Sequence, residues 1–110
     1  MNERNYISLI CVDPLQNKWR SYTIQLMMEM EEGVYQIDCS WGRMNRYRRS
    51  LTTRFQDQAS MLQFLESTLK RRHQHHYQII AKSETFPDTP TLALLPTTNH
   101  IAGQLLLFQD

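Results

Sequence analysis

Tyr35-Gln36-Ile37-Asp38-Cys39-Ser40-Trp41 alternates apolar and polar side chains without a break. A β-strand turns successive side chains to opposite faces. The period of two therefore puts Tyr35, Ile37, Cys39 and Trp41 on one face and Gln36, Asp38 and Ser40 on the other. Upstream, Tyr22-Thr23-Ile24-Gln25-Leu26 repeats the pattern, with Tyr22, Ile24, Leu26 and Met28 on the apolar side. Both runs are rich in aromatic and β-branched residues, which suit a half-buried sheet. Glu31-Glu32-Gly33 marks the turn between them. Farther out, residues 6–12 read as a less regular, more apolar strand. Asp13-Pro14-Leu15-Gln16-Asn17 separates it from the next, and its Asp-Pro pair favours a turn. Leu51, Thr53 and Phe55 suggest a fourth short strand.

From residue 57 to 72 the period changes. Met61, Leu62, Leu65 and Leu69 recur at spacings of three and four, which places them on one face of a helix. Asp57 is positioned to cap its N-terminus. Lys70, Arg71 and Arg72 close it, where cations suit the negative end of the helix dipole. Residues 77–81 return as a last strand. The expected fold class is α+β: one domain, a twisted antiparallel sheet packed with one main helix. This domain is expected over residues 1–82. Residues 83–110 hold Pro87, Pro90 and Pro96 among several threonines. They read as an extended Pro/Thr-rich tail, free or draped over the domain, ending in an apolar peptide.

The composition fits this reading. A chain of 110 residues, 41% hydrophobic, has the size and make-up of one folded domain. No apolar run approaches the roughly 20 residues that span a bilayer. The first residues lack the features of a secretion signal, so a cytoplasmic protein is expected. Cys11 and Cys39 are too few for a disulfide scaffold and read as buried free thiols. The net charge of +1 conceals a division along the chain. Residues 41–82 carry nine Lys and Arg against Asp57 and Glu66, a net of +7. The segments on either side are each net negative. Basic charge gathered in this way encodes an anion-binding surface.

The densest part is Trp41-Gly42-Arg43 followed by Arg46, Tyr47, Arg48, Arg49 and Arg54, with no acidic residue between 41 and 56. Guanidinium groups fork onto phosphate oxygens, and aromatic faces stack on bases or sugars. Gly42 would let the backbone approach a ligand closely. With Lys70, Arg71 and Arg72 these residues are the candidate nucleic-acid contacts. The alternative is a solvated basic hairpin. The strand phase groups Trp41 with Tyr35 and Ile37, so it serves either the core or a stacking contact.

These residues resemble the WGR domain of poly(ADP-ribose) polymerases and of small bacterial proteins, which is named for the tripeptide. The resemblance covers residues 6–80. Asn17-Lys18-Trp19 with Tyr22-Thr23-Ile24-Gln25-Leu26 is similar to the family's strand before the motif. Phe55, Ala59, Phe64, the basic helix end and Tyr77 are similar to its later register. Trp41 and Arg43 stand at the motif positions. The sequence departs from the family at Asn45 and His76, both usually glycine, which bears on loop geometry. The resemblance implies a twisted antiparallel sheet with one helix. It also implies DNA binding, since in the polymerases this domain takes part in recognising broken ends. No polymerase catalytic domain is expected in 110 residues.

Gln104-Leu105-Leu106-Leu107-Phe108 is abruptly apolar after a Pro/Thr-rich stretch. It resembles the sliding-clamp-binding peptide of bacterial replication and repair proteins. In that resemblance Gln104 anchors the entry, and Leu105, Leu107 and Phe108 fill apolar pockets. The alternative is that the peptide folds back on its own domain. His73, His75, His76 and His100 with the two cysteines match no metal-ligand spacing, and no metal or other cofactor is expected. Nothing sets a nucleophile beside a base, so no catalytic residue is expected. The function expected from the sequence is that of a non-catalytic DNA-binding accessory protein of bacterial DNA replication or repair. It would bind DNA through the arginine loop and a partner, such as the sliding clamp, through the tail. The alternative is an interaction adaptor whose basic face meets an acidic protein.

Overall fold

A computed structural model describes residues 5–28 and 33–98. Four strands run in an antiparallel meander: β1 (Asn5–Asp13), β2 (Lys18–Met27), β3 (Tyr35–Arg43) and β4 (Arg48–Phe55). Helix α1 (Gln58–Gln74) follows, then β5 (Gln78–Lys82), which pairs antiparallel with β1. The strand order is β4-β3-β2-β1-β5, so α1 carries the chain from one edge of the sheet to the other. The fold is α+β, as the alternation of residues 22–28 and 35–41 followed by a helical period implied.

The register fixes which face is buried. Tyr22 stands opposite Trp41, Ile24 opposite Cys39, and Leu26 opposite Ile37. On the other side, Leu9 stands opposite Tyr22 and Ile7 opposite Ile24. These side chains form the face under α1, which supplies Met61, Leu65 and Leu69. Ile7, Leu9, Ile24, Met61, Leu65 and Leu69 are fully buried. At roughly 25 cal/mol per Å² of apolar surface removed from water, this interface is the main favourable term of the fold.

Helix α1 is closed at both ends by its own residues. The Asp57 carboxylate accepts the Ser60 N–H at 2.7 Å and the Ser60 hydroxyl at 3.1 Å. These bonds hold the carboxyl below its ordinary value, the Ser60 backbone donor first. The capped end therefore adds stability above the usual carboxylate range and loses it in acid. At the other end, His76 N–H bonds to His73 O and Tyr77 N–H reaches back to Arg72 O, each at 3.1 Å. His76 takes the left-handed backbone, φ 65°. This is the Schellman arrangement, whose left-handed position favours glycine.

The core continues past residue 82. Residues 83–98 carry little regular structure beyond a short 3₁₀ turn, Leu92–Leu94. Even so, Phe86, Leu92 and Leu95 belong to the core cluster. The Thr91 N–H donates to the Glu66 carboxylate at 3.0 Å. Ile79 N–H donates to Pro96 O at 2.7 Å, and Thr98 N–H to Ile79 O at 2.9 Å. The Pro/Thr-rich segment is therefore draped on the domain as far as residue 98. Gln104, Leu105, Leu107 and Phe108 lie outside the described residues.

Two outcomes are expected in urea denaturation. Phe86→Ala lowers unfolding stability by about 3–5 kcal/mol, the range for a buried aromatic, where an exposed tail residue would change it by only about 0.5 kcal/mol. His76→Gly raises stability by about 1 kcal/mol, because it relieves the left-handed strain at the helix end.

Candidate nucleic-acid interface

Strand alternation splits the arginine loop between two faces. β4 pairs with β3 so that Arg49 stands opposite Trp41 and Arg48 opposite Gly42. Arg49 therefore shares the helix-covered face with Trp41, and Arg48 and Arg54 point the other way. Arg48 is held there: its guanidinium donates to Ser40 Oγ at 3.0 Å, to Ser40 O at 2.8 Å and to Ser21 Oγ. Arg54 Nε donates to Gln36 Oε1 at 3.0 Å. Arg46 and Tyr47 sit in the exposed turn, Tyr47 with 87% of its surface accessible. Gly42 has a local reason. A Cβ there would stand 2.9 Å from Tyr47 O and 3.3 Å from Arg48 Cα, so the hairpin itself requires glycine.

On the helix-covered face a different set converges. Arg20 is the Cα partner of both Arg43 and Cys11, in phase with Tyr22. The end of α1 lies over the same corner. There Arg72 stacks on Tyr22, 4.5 Å from its ring centre, and lies 5.3 Å from that of Tyr77. Trp41 stacks on Tyr22 at 5.8 Å, with planes 17° apart. Between these groups is a cavity of about 420 Å³ whose walls include Lys18, Arg20, Trp41, Arg43, Arg72 and His75 and, among the described residues, no carboxylate. The Nε of Arg72 is buried and has no hydrogen-bond partner among the described residues. Cation–π contact thus replaces the carboxylate that usually accompanies a half-buried guanidinium.

Of the residues singled out in the sequence, Trp41, Arg43 and Arg72 meet at this cavity. Arg71 lines an adjoining groove that shares Trp41 and Arg72 with it. Lys70 is exposed on α1 and borders neither. Lys18, Arg20 and His75 enter the site unheralded. The signal for the first two was strand phase, since both fall in step with Tyr22. Arg43 has a structural task as well. It donates to Asn17 O and to Asn17 Oδ1, each at 2.9 Å, and so ties the β1–β2 turn to the end of β3. Asn17 and Asn45 both adopt left-handed backbone, φ 54° and 60°.

Among the described residues of the cavity, the charged side chains are cations. Burial raises the Tyr22 hydroxyl far above its ordinary range, and a hydrogen bond with Cys39 pushes it the same way. Burial likewise raises the Cys39 thiol, overriding the opposite effect of that bond. Both stay neutral through the physiological range. Among the described residues, no three His, Cys, Asp or Glu side chains are grouped to hold a metal ion. Among them, no helix is long and apolar enough to cross a membrane. Comparison with protein-family models, curated proteins and solved structures gave no match.

A raised and buried thiol should be inert. Incubated with iodoacetamide at mildly alkaline pH and read by mass spectrometry, Cys39 is expected to stay unmodified in the native protein and to react in urea. Rapid native alkylation would contradict the neutral, enclosed Tyr22–Cys39 pair.

Proposed function

We propose that the chain is a non-catalytic DNA-binding accessory protein of bacterial DNA replication or repair. The DNA contact is the basic corner around Trp41, and Gln104, Leu105, Leu107 and Phe108 engage a partner such as the sliding clamp. The observation that carries the reading is one cavity walled by Lys18, Arg20, Arg43, Arg72 and His75 beside an indole, with no carboxylate among the described residues of its walls. Cations without acidic partners attract a polyanion, and an aromatic edge beside them suits a nucleotide more than a bare acidic side chain. Three details support the resemblance to the WGR domain. Asn45 and His76, where that family usually has glycine, both take the left-handed backbone that glycine favours. The motif residue Arg43 is bonded to Asn17, the first residue of the other matching segment.

The test is fluorescence anisotropy with labelled blunt duplex and single-stranded DNA across a salt series. Micromolar or tighter binding that weakens steeply with salt is expected, since each neutralised phosphate releases counterions. Replacing Lys18 and Arg20 by Ala should weaken binding to every sequence and reduce the slope of log K against log salt by about one per lost phosphate contact. Arg54→Ala, on the opposite face, should leave both unchanged. Absence of binding at low salt overturns the reading and leaves an adaptor that meets an acidic protein surface.

A further inference from the structure

The two edges of the sheet are finished differently. The β5 edge is covered by residues 96–98, through the hydrogen bonds of Ile79 to Pro96 and Thr98. β4 is the other edge, and among the described residues nothing pairs with its outer side. It is eight residues long, and Arg49, Ser50, Leu51 and Thr52 are all exposed. An edge of this length presents a row of unpaired N–H and C=O groups.

A groove runs beside this edge. It lies between the sheet and α1, has a volume of about 430 Å³, and its walls include Leu51, Phe64, Thr68, Arg71 and Trp41. Leu51 leaves 53% of its surface accessible at the rim. Phe64 packs against Phe55, with ring centres 5.4 Å apart. Arg49 lies on the same face of β4 as Leu51, two residues away, and Arg71 faces them from the helix. The groove therefore combines an apolar floor, flanking cations and a free strand edge.

We infer that the β4 edge and the groove beside it form a binding site for an extended peptide in which an apolar and an acidic residue stand two positions apart. The peptide would add to β4 as a sixth strand. Every second side chain would then face the groove, an apolar one over Leu51 and Phe64 and an acidic one, two positions away, against Arg49 and Arg71. Strand addition uses main-chain hydrogen bonds for affinity and side-chain pockets for selection. Charge selects this occupant over a second copy of the chain. In the centred antiparallel register, two β4 edges brought together would set Arg48 of each opposite Arg54 of the other, and like charges across a strand pair are destabilising. The groove shares Trp41 and Arg72 with the basic cavity, but Leu51 and Phe64 do not line that cavity, so Leu51→Ser tests the peptide site separately from DNA binding.

The test is panning of a phage-displayed random heptapeptide library on the whole chain at physiological salt. Sequences with an apolar and an acidic residue two positions apart are expected to be enriched. A fluorescein-labelled synthetic consensus peptide should then bind Leu51→Ser and Arg49→Glu each about tenfold more weakly than the wild type, a loss of ~1.4 kcal/mol. Both positions are exposed, so folding should be retained, which circular dichroism checks. Hydrogen exchange should slow over residues 48–55 when the peptide is present. No enrichment, enriched sequences without acidic residues, affinity unchanged by both substitutions, or protection that leaves 48–55 untouched would each overturn the site.

Discussion

Tyr22 and Trp41 are Cα partners on neighbouring strands, and the rest of the molecule depends on that register. A slip of one residue would turn Tyr22, Ile24 and Leu26 to the open face and leave α1 packed on polar side chains. The same register sets Arg20 against Arg43 and, through β1, against Cys11. Core and site are therefore set by a single pairing. The residues at the middle of β1, β2 and β3 make the hydrophobic interface, and those at the end toward the two turns make the basic corner.

The corner is held together in spite of its charge. Arg72 brings a guanidinium against Tyr22 and Tyr77, and its buried Nε has no hydrogen-bond partner among the described residues. Desolvating a cation without a carboxylate is unfavourable, and aromatic faces offset only part of it. Arg43 is satisfied by Asn17, at the cost of being less free to reach a ligand. The result is a group of cations held by hydrogen bonds and ring contacts, with no carboxylate among the described residues of the cavity walls.

Much of the fold was legible because each element carries its own pattern. Alternation placed β2 and β3, spacing of three and four placed α1, and Asp57 marked its start. Residues 83–98 were less legible, because Phe86, Leu92 and Leu95 are scattered among prolines and threonines and show no period. Their burial arises from tertiary contacts that composition does not encode. Asn45 and His76 were flagged by the resemblance as places where glycine is usual, and both take the backbone that glycine would. Asparagine does so readily. His76 does so because the bonds of its neighbours at the helix end require it.

The site was legible only in part, for a reason that applies to any basic hairpin. A run of arginines in sequence is not a cluster in space when the run forms a strand. Alternation sends Arg49 toward Trp41 and Arg48 and Arg54 to the opposite face. There they join a polar lattice with Ser21, Gln36 and Ser40. Charge is instead gathered from distant positions, Lys18 and Arg20 from β2 and Arg72 from α1, which strand phase and the helix crossing bring together. The arginines of β4 thus divide between two tasks. On one face Arg48 and Arg54 bond across the sheet, and on the other Arg49 stands opposite Trp41. The density that made residues 43–54 conspicuous in the sequence marks an edge strand as much as a binding loop.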